Sequence, residues 1–312
     1  MRIVFMGTPE FAVQSLKALI EMDDVEVVGV FTQPDRPVGR GHKVEITPVK
    51  REAEANNIPV FQFERVRKQE GLDAMRALKP DIVVTAAFGQ ILSKKLLEVP
   101  RLGTVNVHAS LLPKHRGSAP INWAIIQGES VTGITTMLTD VGLDTGDMLL
   151  KREIEIGENE TAGQLTERLS HVGAELLKET LPAYWQGKIT PIPQKEEEMT
   201  YDPMLSKELG KIDWTKSADE IDCLVRGVNP WPGAFSKMNG DVIKVWLTKK
   251  CERTTEEAPG TVIAASAREG LIVATGCGET IEIIEMQAPN AKRMTAKAYL
   301  SGKKLGARFD EE

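Results

Sequence analysis

Apolar residues in the first half of the chain arrive in short runs, each followed by a longer stretch of mixed apolar and polar positions. Arg2–Met6, Val25–Thr32, Ile82–Thr85 and Thr104–His108 are such runs, rich in β-branched residues, and read as strands. The stretches between them are long enough for helices that cross back over a sheet. The rhythm therefore predicts an α/β fold with a Rossmann-like, doubly wound, mostly parallel sheet. After the first run, Gly7-Thr8-Pro9 predicts a helix start with Thr8 as N-cap and Pro9 in the first helical position. Sheets of this kind bind ligands beyond the carboxyl ends of their strands. The Gly7 turn is poorly suited to a dinucleotide: it lacks the later glycines of a phosphate loop, Pro9 removes an N–H, and Glu10 adds negative charge.

The pattern changes near residue 190. Two prolines and an acidic run predict an exposed linker over 189–206, between a domain of residues 1–188 and a second of residues 207–312. In the second domain Ser217–Val228 has helical spacing. Val242–Thr248, Gly260–Ala264, Leu271–Thr275 and Thr280–Met286 follow as short strands punctuated by Gly, Asn-Gly and Pro, which suggests a small β-barrel.

Composition sharpens this picture in three ways. No apolar run approaches the roughly 18 residues that a membrane span needs, and Met1–Gly7 enters a strand pattern too early for a signal peptide. Cys223, Cys251 and Cys277 share no CxxC spacing, which points to a reducing, cytoplasmic compartment without disulfides. The net charge of −6 lies entirely in residues 1–206, because residues 207–312 hold 16 basic and 16 acidic side chains. Yet Ala291–Arg308 holds six basic residues and no acidic one, including Lys292, Arg293, Lys303 and Lys304. A second basic stretch, Thr32–Lys43, sets Arg36, Arg40, His42 and Lys43 against Asp35 alone. Its prolines and glycines predict an irregular loop at the ligand end of the sheet, of a kind that orders on a phosphate backbone.

The candidate chemistry lies in Asn106-Val-His-Ala-Ser-Leu-Leu-Pro-Lys-His-Arg-Gly117. Asn106 and His108 share one face of a strand at its carboxyl end, and Pro113 then breaks the chain. Gly142 and Gly146 bracket Asp144 and permit a tight turn that projects its carboxylate. An Asn–His–Asp trio contains no Ser or Cys nucleophile, so it suits direct acyl transfer between two nitrogens. Asn106 and His108 would stabilise the oxyanion, and His108 would protonate the departing nitrogen. Asp144 would orient the imidazole or take the nucleophile's proton through a water. His115 and His171 lack the spacing to complete a metal site, and no metal is expected.

Asn106-x-His108, Ser110-Leu-Leu-Pro113, Arg116-Gly117 and Asp144 together resemble the 10-formyltetrahydrofolate-dependent formyltransferases. The opening Met-Gly-Thr-Pro-Glu-Phe-Ala, Ala87–Leu92, Asp140–Met148 and Asn229-Pro-Trp-Pro232 extend the resemblance along the whole chain. It implies that Asn106, His108 and Asp144 are the catalytic trio. It also implies a folate site formed by Ser110, Leu111, Leu112 and Pro113, with Phe88, Gly89, Gln90, Ile91, Leu92, Asp140 and Val141 around the pterin. The basic loop and second domain resemble the branch whose acceptor is the methionyl group on initiator tRNA. Residues 32–43 would then touch tRNA, Arg40 foremost, and the C-terminal barrel would be of the oligonucleotide-binding type. Phe88 stands where tyrosine is frequent in the family, and His42 where a lysine would fit. Other acceptors for the same chemistry are glycinamide ribonucleotide, an amino-sugar nucleotide or water. A nicotinamide-dependent oxidoreductase and a non-catalytic RNA-binding protein are readings from other classes. Nothing in the sequence demands more than a monomer.

Overall fold

The computed structural model describes residues 1–38 and 43–309. The chain divides into two compact units. Met1–Pro120, Thr132–Ile154 and Thr166–Asp202 form the first; Ile121–Val131, Glu155–Leu165 and Pro203–Glu312 form the second.

The chain begins with β1 (Arg2–Gly7), α1 (Glu10–Ile20), β2 (Glu26–Thr32), β3 (Arg36–Val38), β4 (Lys43–Glu45) and α2 (Pro48–Ala55). Next come β5 (Val60–Gln62), α3 (Gln69–Leu78), β6 (Ile82–Ala86), α4 (Lys94–Leu97), β7 (Thr104–His108) and β8 (Arg116–Gly117). Then follow α5 (Pro120–Ile126), β9 (Val131–Leu138), β10 (Met148–Glu155), α6 (Ala162–Trp185) and β11 (Tyr201–Asp202). The main sheet has the order β10-β9-β7-β6-β1-β2-β5. From β7 to β5 all neighbours run parallel, and β9 joins β7 antiparallel. The mixed, mostly parallel α/β sheet agrees with the predicted fold class. Ile3 to Met6 and the whole of β6 are buried, as central strands covered on both faces require. The chain winds outward from β1 through β2 to β5, then returns to β6 on the other side. The carboxyl ends of β1, β6 and β7 therefore lie at the switch point.

Two local readings are corrected. Helix α1 starts one residue later than expected: Pro9, in an extended conformation, is the N-cap. The Thr8 hydroxyl donates instead to the Phe88 carbonyl at 3.0 Å and ties the first turn to the loop after β6. The basic stretch is not wholly irregular. Its arms β3 and β4 pair antiparallel, Arg36 opposite Glu45 and Val38 opposite Lys43. Pro37 is tolerated because a two-stranded ribbon is all edge.

In the second unit α7 (Ala218–Gly227) precedes β12 (Ala234–Met238), β13 (Asp241–Cys251), β14 (Val262–Ser266), β15 (Gly270–Ala274), β16 (Thr280–Gln287), β17 (Met294–Thr295) and α8 (Ala296–Leu300). The antiparallel order is β12-β13-β16-β15-β14, with β17 added on β16. Ser217 and Glu220 close a capping box on α7. Trp214 stacks on Phe309 at 5.1 Å between centroids and donates its indole N–H to Ser236 at 2.9 Å. The core contains Ile221, Val225, Val245, Leu271, Val273, Ile281, Ile283 and Met286.

The stretch expected as an exposed linker is built into the first unit as far as Asp202. Ile192 and Met148 exchange two backbone hydrogen bonds of 2.9 Å, and β11 pairs in parallel with β8. Glu196, Glu197 and Glu198 do face solvent. Their charge and the flanking prolines hide partners that lie some eighty residues earlier in the chain.

Candidate active site

Strand β7 carries Asn106 and His108 on one face, as its period of two requires. Thr85, opposite Asn106 on β6, donates its hydroxyl to Asn106 Oδ1 at 2.9 Å. That bond assigns the amide carbonyl to the sheet and leaves the NH2 as the group that can face a ligand. His108 is 6% exposed. Its Nε2 lies 2.9 Å from the His115 carbonyl oxygen. A carbonyl only accepts, so Nε2 carries a hydrogen and the neutral ring keeps its lone pair on Nδ1. Nδ1 stands 3.6 Å from Asp144 Oδ1, beyond a hydrogen bond but within ionic reach.

Asp144 adopts a left-handed backbone, φ +54°, a conformation that costs a non-glycine residue about 1–3 kcal/mol. Hydrogen bonds from two sides hold the turn. Asp144 Oδ2 accepts from the Gly117 N–H at 3.0 Å, and Gln194 Nε2 donates to both the Asp144 and Gly146 carbonyls at 2.8 Å. Gln194 Oε1 in turn accepts from Arg116 Nε at 3.0 Å. Buried Arg116 forms a two-pronged pair with Glu196 at 2.8 and 3.1 Å. Hydrogen bonding from that guanidinium holds the Glu196 carboxyl below its usual range. Gly146 sits where a Cβ would lie 1.8 Å from the Leu138 carbonyl, so the turn closes only with glycine. Asp140 caps the same turn, accepting from the Gly142 N–H and the Thr145 hydroxyl.

The structure brings Asn106, His108 and Asp144 into one unit, with the imidazole beside the carboxylate. The Ser110–Pro113 turn follows directly, but Ser110 and Leu112 are fully buried. Ser110 donates to the Lys114 carbonyl at 2.7 Å, and Leu112 N–H to Thr135 Oγ1 at 3.1 Å. These side chains shape the turn from inside; any ligand would meet its backbone. Lys151 donates to the Leu112 carbonyl, and desolvation lowers the pKa of its ammonium. In the loop after β6, Phe88 points into the core beneath the sheet and Leu92 packs partly against it. Gln90 spans the Val66 N–H and the Phe63 carbonyl at 2.7 and 2.8 Å, and Gly89 is exposed. Ile91, Val141 and Leu143 stand 72%, 71% and 54% exposed, an apolar display that water does not favour.

Among the basic candidates, Arg36 pairs with Glu64 at 3.1 Å. Arg40 and His42 lie outside the described residues, as does the side chain of Lys43. Lys292 and Lys304 are exposed, and Lys303 lies 5.6 Å from the centre of the Tyr299 ring. Arg293 pairs with Glu285 and lies 5.2 Å from the Trp246 ring, which Lys244 approaches at 5.4 Å. Sequence reasoning missed Lys244 and Trp246, although their period-two spacing with Val242 was there to read. It also missed Thr85, Lys151, Gln194 and Asp202, which carry no local motif. Among the described residues no group of three His, Cys, Asp or Glu could hold a metal, and no helix is long and apolar enough to cross a membrane.

Comparison with known proteins accords with this geometry. Residues 1–181 match the family model described as formyl transferase, and residues 204–304 match the formyl transferase C-terminal domain. The methionyl-tRNA formyltransferase of Alkaliphilus oremlandii is 52% identical, covering 97% of this chain and 96% of that protein. That of Acetivibrio thermocellus is 51% identical over 98% of each. The fold is shared with the Helicobacter canadensis N-formyltransferase, solved on complex with folinic acid and dTDP-3-aminofucose. Its TM-score is 0.68 at 18% identity, covering 94% of this chain and 99% of that one. Matched through both units and half identical over nearly its full length, the chain belongs to the formyl transferase family, in the group of the methionyl-tRNA formyltransferases.

Proposed function

We propose that the protein transfers the formyl group of 10-formyltetrahydrofolate to the α-amino group of methionyl initiator tRNA, with Asn106, His108 and Asp144 as its catalytic residues. The carrying observation is the imidazole held between an acceptor-only carbonyl and a carboxylate, on the same strand as an amide whose carbonyl is taken up by Thr85. The folate donor supplies a formyl carbon open to attack and a weakly basic arylamine as leaving group. When the amine adds, negative charge grows on the formyl oxygen, and the Asn106 NH2 is the donor that meets it. The attacking nitrogen must lose a proton and the departing one must gain one. His108 Nδ1 is the nitrogen free to accept the first and deliver the second. While it carries that proton, both ring nitrogens are donors, and Asp144 faces the new N–H.

Exposed Ile91 and Val141, with Leu143, fit the flat ring system of a folate, and the backbone of Ser110–Pro113 offers polar groups to its edge. Phe88, Gly89, Gln90 and Leu92 frame the first of these loops and Asp140 the second. The second unit and the arm around Arg36, Arg40, His42 and Lys43 serve the tRNA, as do Lys292, Arg293, Lys303 and Lys304. Holding both reactants supplies by proximity what a weak nucleophile lacks. We read the catalytic domain as residues 1–188 extended by the bound segment through Asp202, and the protein as a cytoplasmic monomer.

The test is formyl transfer from 10-formyltetrahydrofolate to charged initiator tRNA, with charged elongator tRNA and glycinamide ribonucleotide in parallel. Product on the initiator alone is expected, and His108→Ala should lower the rate about 10²–10⁴-fold in a folded protein. Folate turnover without a tRNA product would move the acceptor to a small amine or water. Near-native activity of His108→Ala would overturn the catalytic assignment.

A further inference from the structure

His115 and Asp202 form a buried pair directly behind the catalytic imidazole. His115 is 2% exposed and Asp202 1%, and His115 Nδ1 lies 2.8 Å from Asp202 Oδ2. Neither residue belongs to the trio, and neither side chain faces the formyl group in the scheme above. The main chain of His115 nevertheless supplies the carbonyl that His108 Nε2 meets.

That carbonyl belongs to the peptide plane between His115 and Arg116. The N–H of the same plane donates to the Thr200 carbonyl at 3.0 Å. In a trans peptide the N–H and C=O point in opposite directions. Holding the N–H on Thr200 thus aims the C=O away from β11, toward His108. The plane is hard to set because His115 has φ +59°, a left-handed conformation unfavourable for a side chain that must be held there. The tethers on the residue include its own N–H on Thr200 Oγ1 at 2.8 Å and its ring on Asp202. Both of these come from the segment 200–202.

We infer that His115 and Asp202 are positioning residues, which hold the His115 carbonyl against His108 Nε2 and thereby keep the reactive lone pair on Nδ1. This rests on the reading of His108 as the catalytic imidazole. Without the Asp202 tether the left-handed His115 residue keeps its bonds to Thr200 but loses the hold on its ring. Its carbonyl is then aimed less tightly, and the His108 proton shifts toward an even distribution between the two nitrogens. An ordinary hydrogen bond corresponds to roughly a two- to tenfold preference, so the loss should lower kcat by about that factor. Binding of folate or tRNA should not change, because neither is touched.

The experiment compares Asp202→Ala and Asp202→Asn in the full-length enzyme. Steady-state kinetics is combined with ¹⁵N NMR of the histidine rings, and His108 is assigned by loss of its signals in His108→Ala. The native enzyme should show the Nε2–H form of His108. Asp202→Ala should show a growing Nδ1–H population and a kcat lowered about two- to tenfold at unchanged KM for both substrates. Asp202→Asn, whose side-chain carbonyl still accepts from His115, should restore both. Should the alanine variant fail to fold, His115→Asn decides the matter by the same readings, because asparagine tolerates the left-handed backbone and is too short to reach Asp202. An unchanged His108 form, whether or not kcat falls, would overturn the proposal. The tautomer signal is independent of turnover, so its failure is distinct from failure of the catalytic reading, which an active His108→Ala would reveal.

Discussion

Gly117→Ala tests how closely the segment 194–202 is fitted to the site. Gly117 has φ +117°, a region open in practice only to glycine. A Cβ there would lie 2.3 Å from the Asp202 carbonyl oxygen and 3.1 Å from the Tyr201 ring. The oxygen is main chain and cannot swing aside, so β11 must move away by about 1 Å to restore a normal contact. Backbone strain contributes about 1–3 kcal/mol. The bonds from Arg116 N–H to Thr200 and from Ser118 N–H to Asp202, 3.0 and 3.2 Å long, are the ones a shifted β11 breaks. At about 0.5–1.5 kcal/mol each, they bring the expected loss to about 2–6 kcal/mol. Activity should fall as well, because the Gly117 N–H is the donor to Asp144 Oδ2. Urea unfolding followed by circular dichroism, with single-turnover formyl transfer on the folded fraction, measures both. A loss under about 1 kcal/mol with native turnover would refute the claim that this strand pairing is obligatory.

Three further outcomes are expected. Thr85→Val removes the donor that orients the Asn106 amide; kcat should fall about two- to tenfold at unchanged KM, and an unchanged kcat would show the amide is oriented by something else. Glu196 is held below the usual carboxylate range by Arg116, so its contribution to stability is complete above the unfolded carboxyl value and is lost as pH falls through the lower folded value. The gap in urea midpoint between the native protein and Glu196→Gln should be constant near neutrality and close on acidification; a gap that widens instead would contradict the sign. Burial raises the thiol pKa of Cys223 and Cys251, whereas Cys277 is exposed. A thiol reagent at pH 8 should therefore consume Cys277 first, and equal rates at all three would refute the ranking.

What the sequence disclosed and what it concealed follow from the range of the interactions involved. Asn106 and His108 were legible because a period of two at the end of an apolar run is a local signal. Asp144 was legible because glycines on either side announce a sharp turn. Thr8 misled because a hydroxyl before a proline looks like a cap, while its actual partner is the Phe88 carbonyl, 80 residues away. The hairpin arms at Arg36 and Lys43 were obscured by Pro37, which forbids a central strand but not an edge. Gln194, Glu196 and Asp202 were hidden most completely. Their partners Arg116, Asp144 and His115 are 50 to 87 residues distant in sequence, and their own neighbourhood has the composition of a solvated linker.

The route of that segment also decides where the protein can be dissected. A fragment ending at residue 188, the natural place to cut from composition, would keep every residue of the trio and lose all the main-chain and side-chain partners contributed by Gln194, Glu196, Thr200 and Asp202. Such a fragment would hold the right groups in unfixed directions. A cut after Pro203 instead retains Gln194, Glu196, Thr200 and Asp202 together with the groups whose direction they fix.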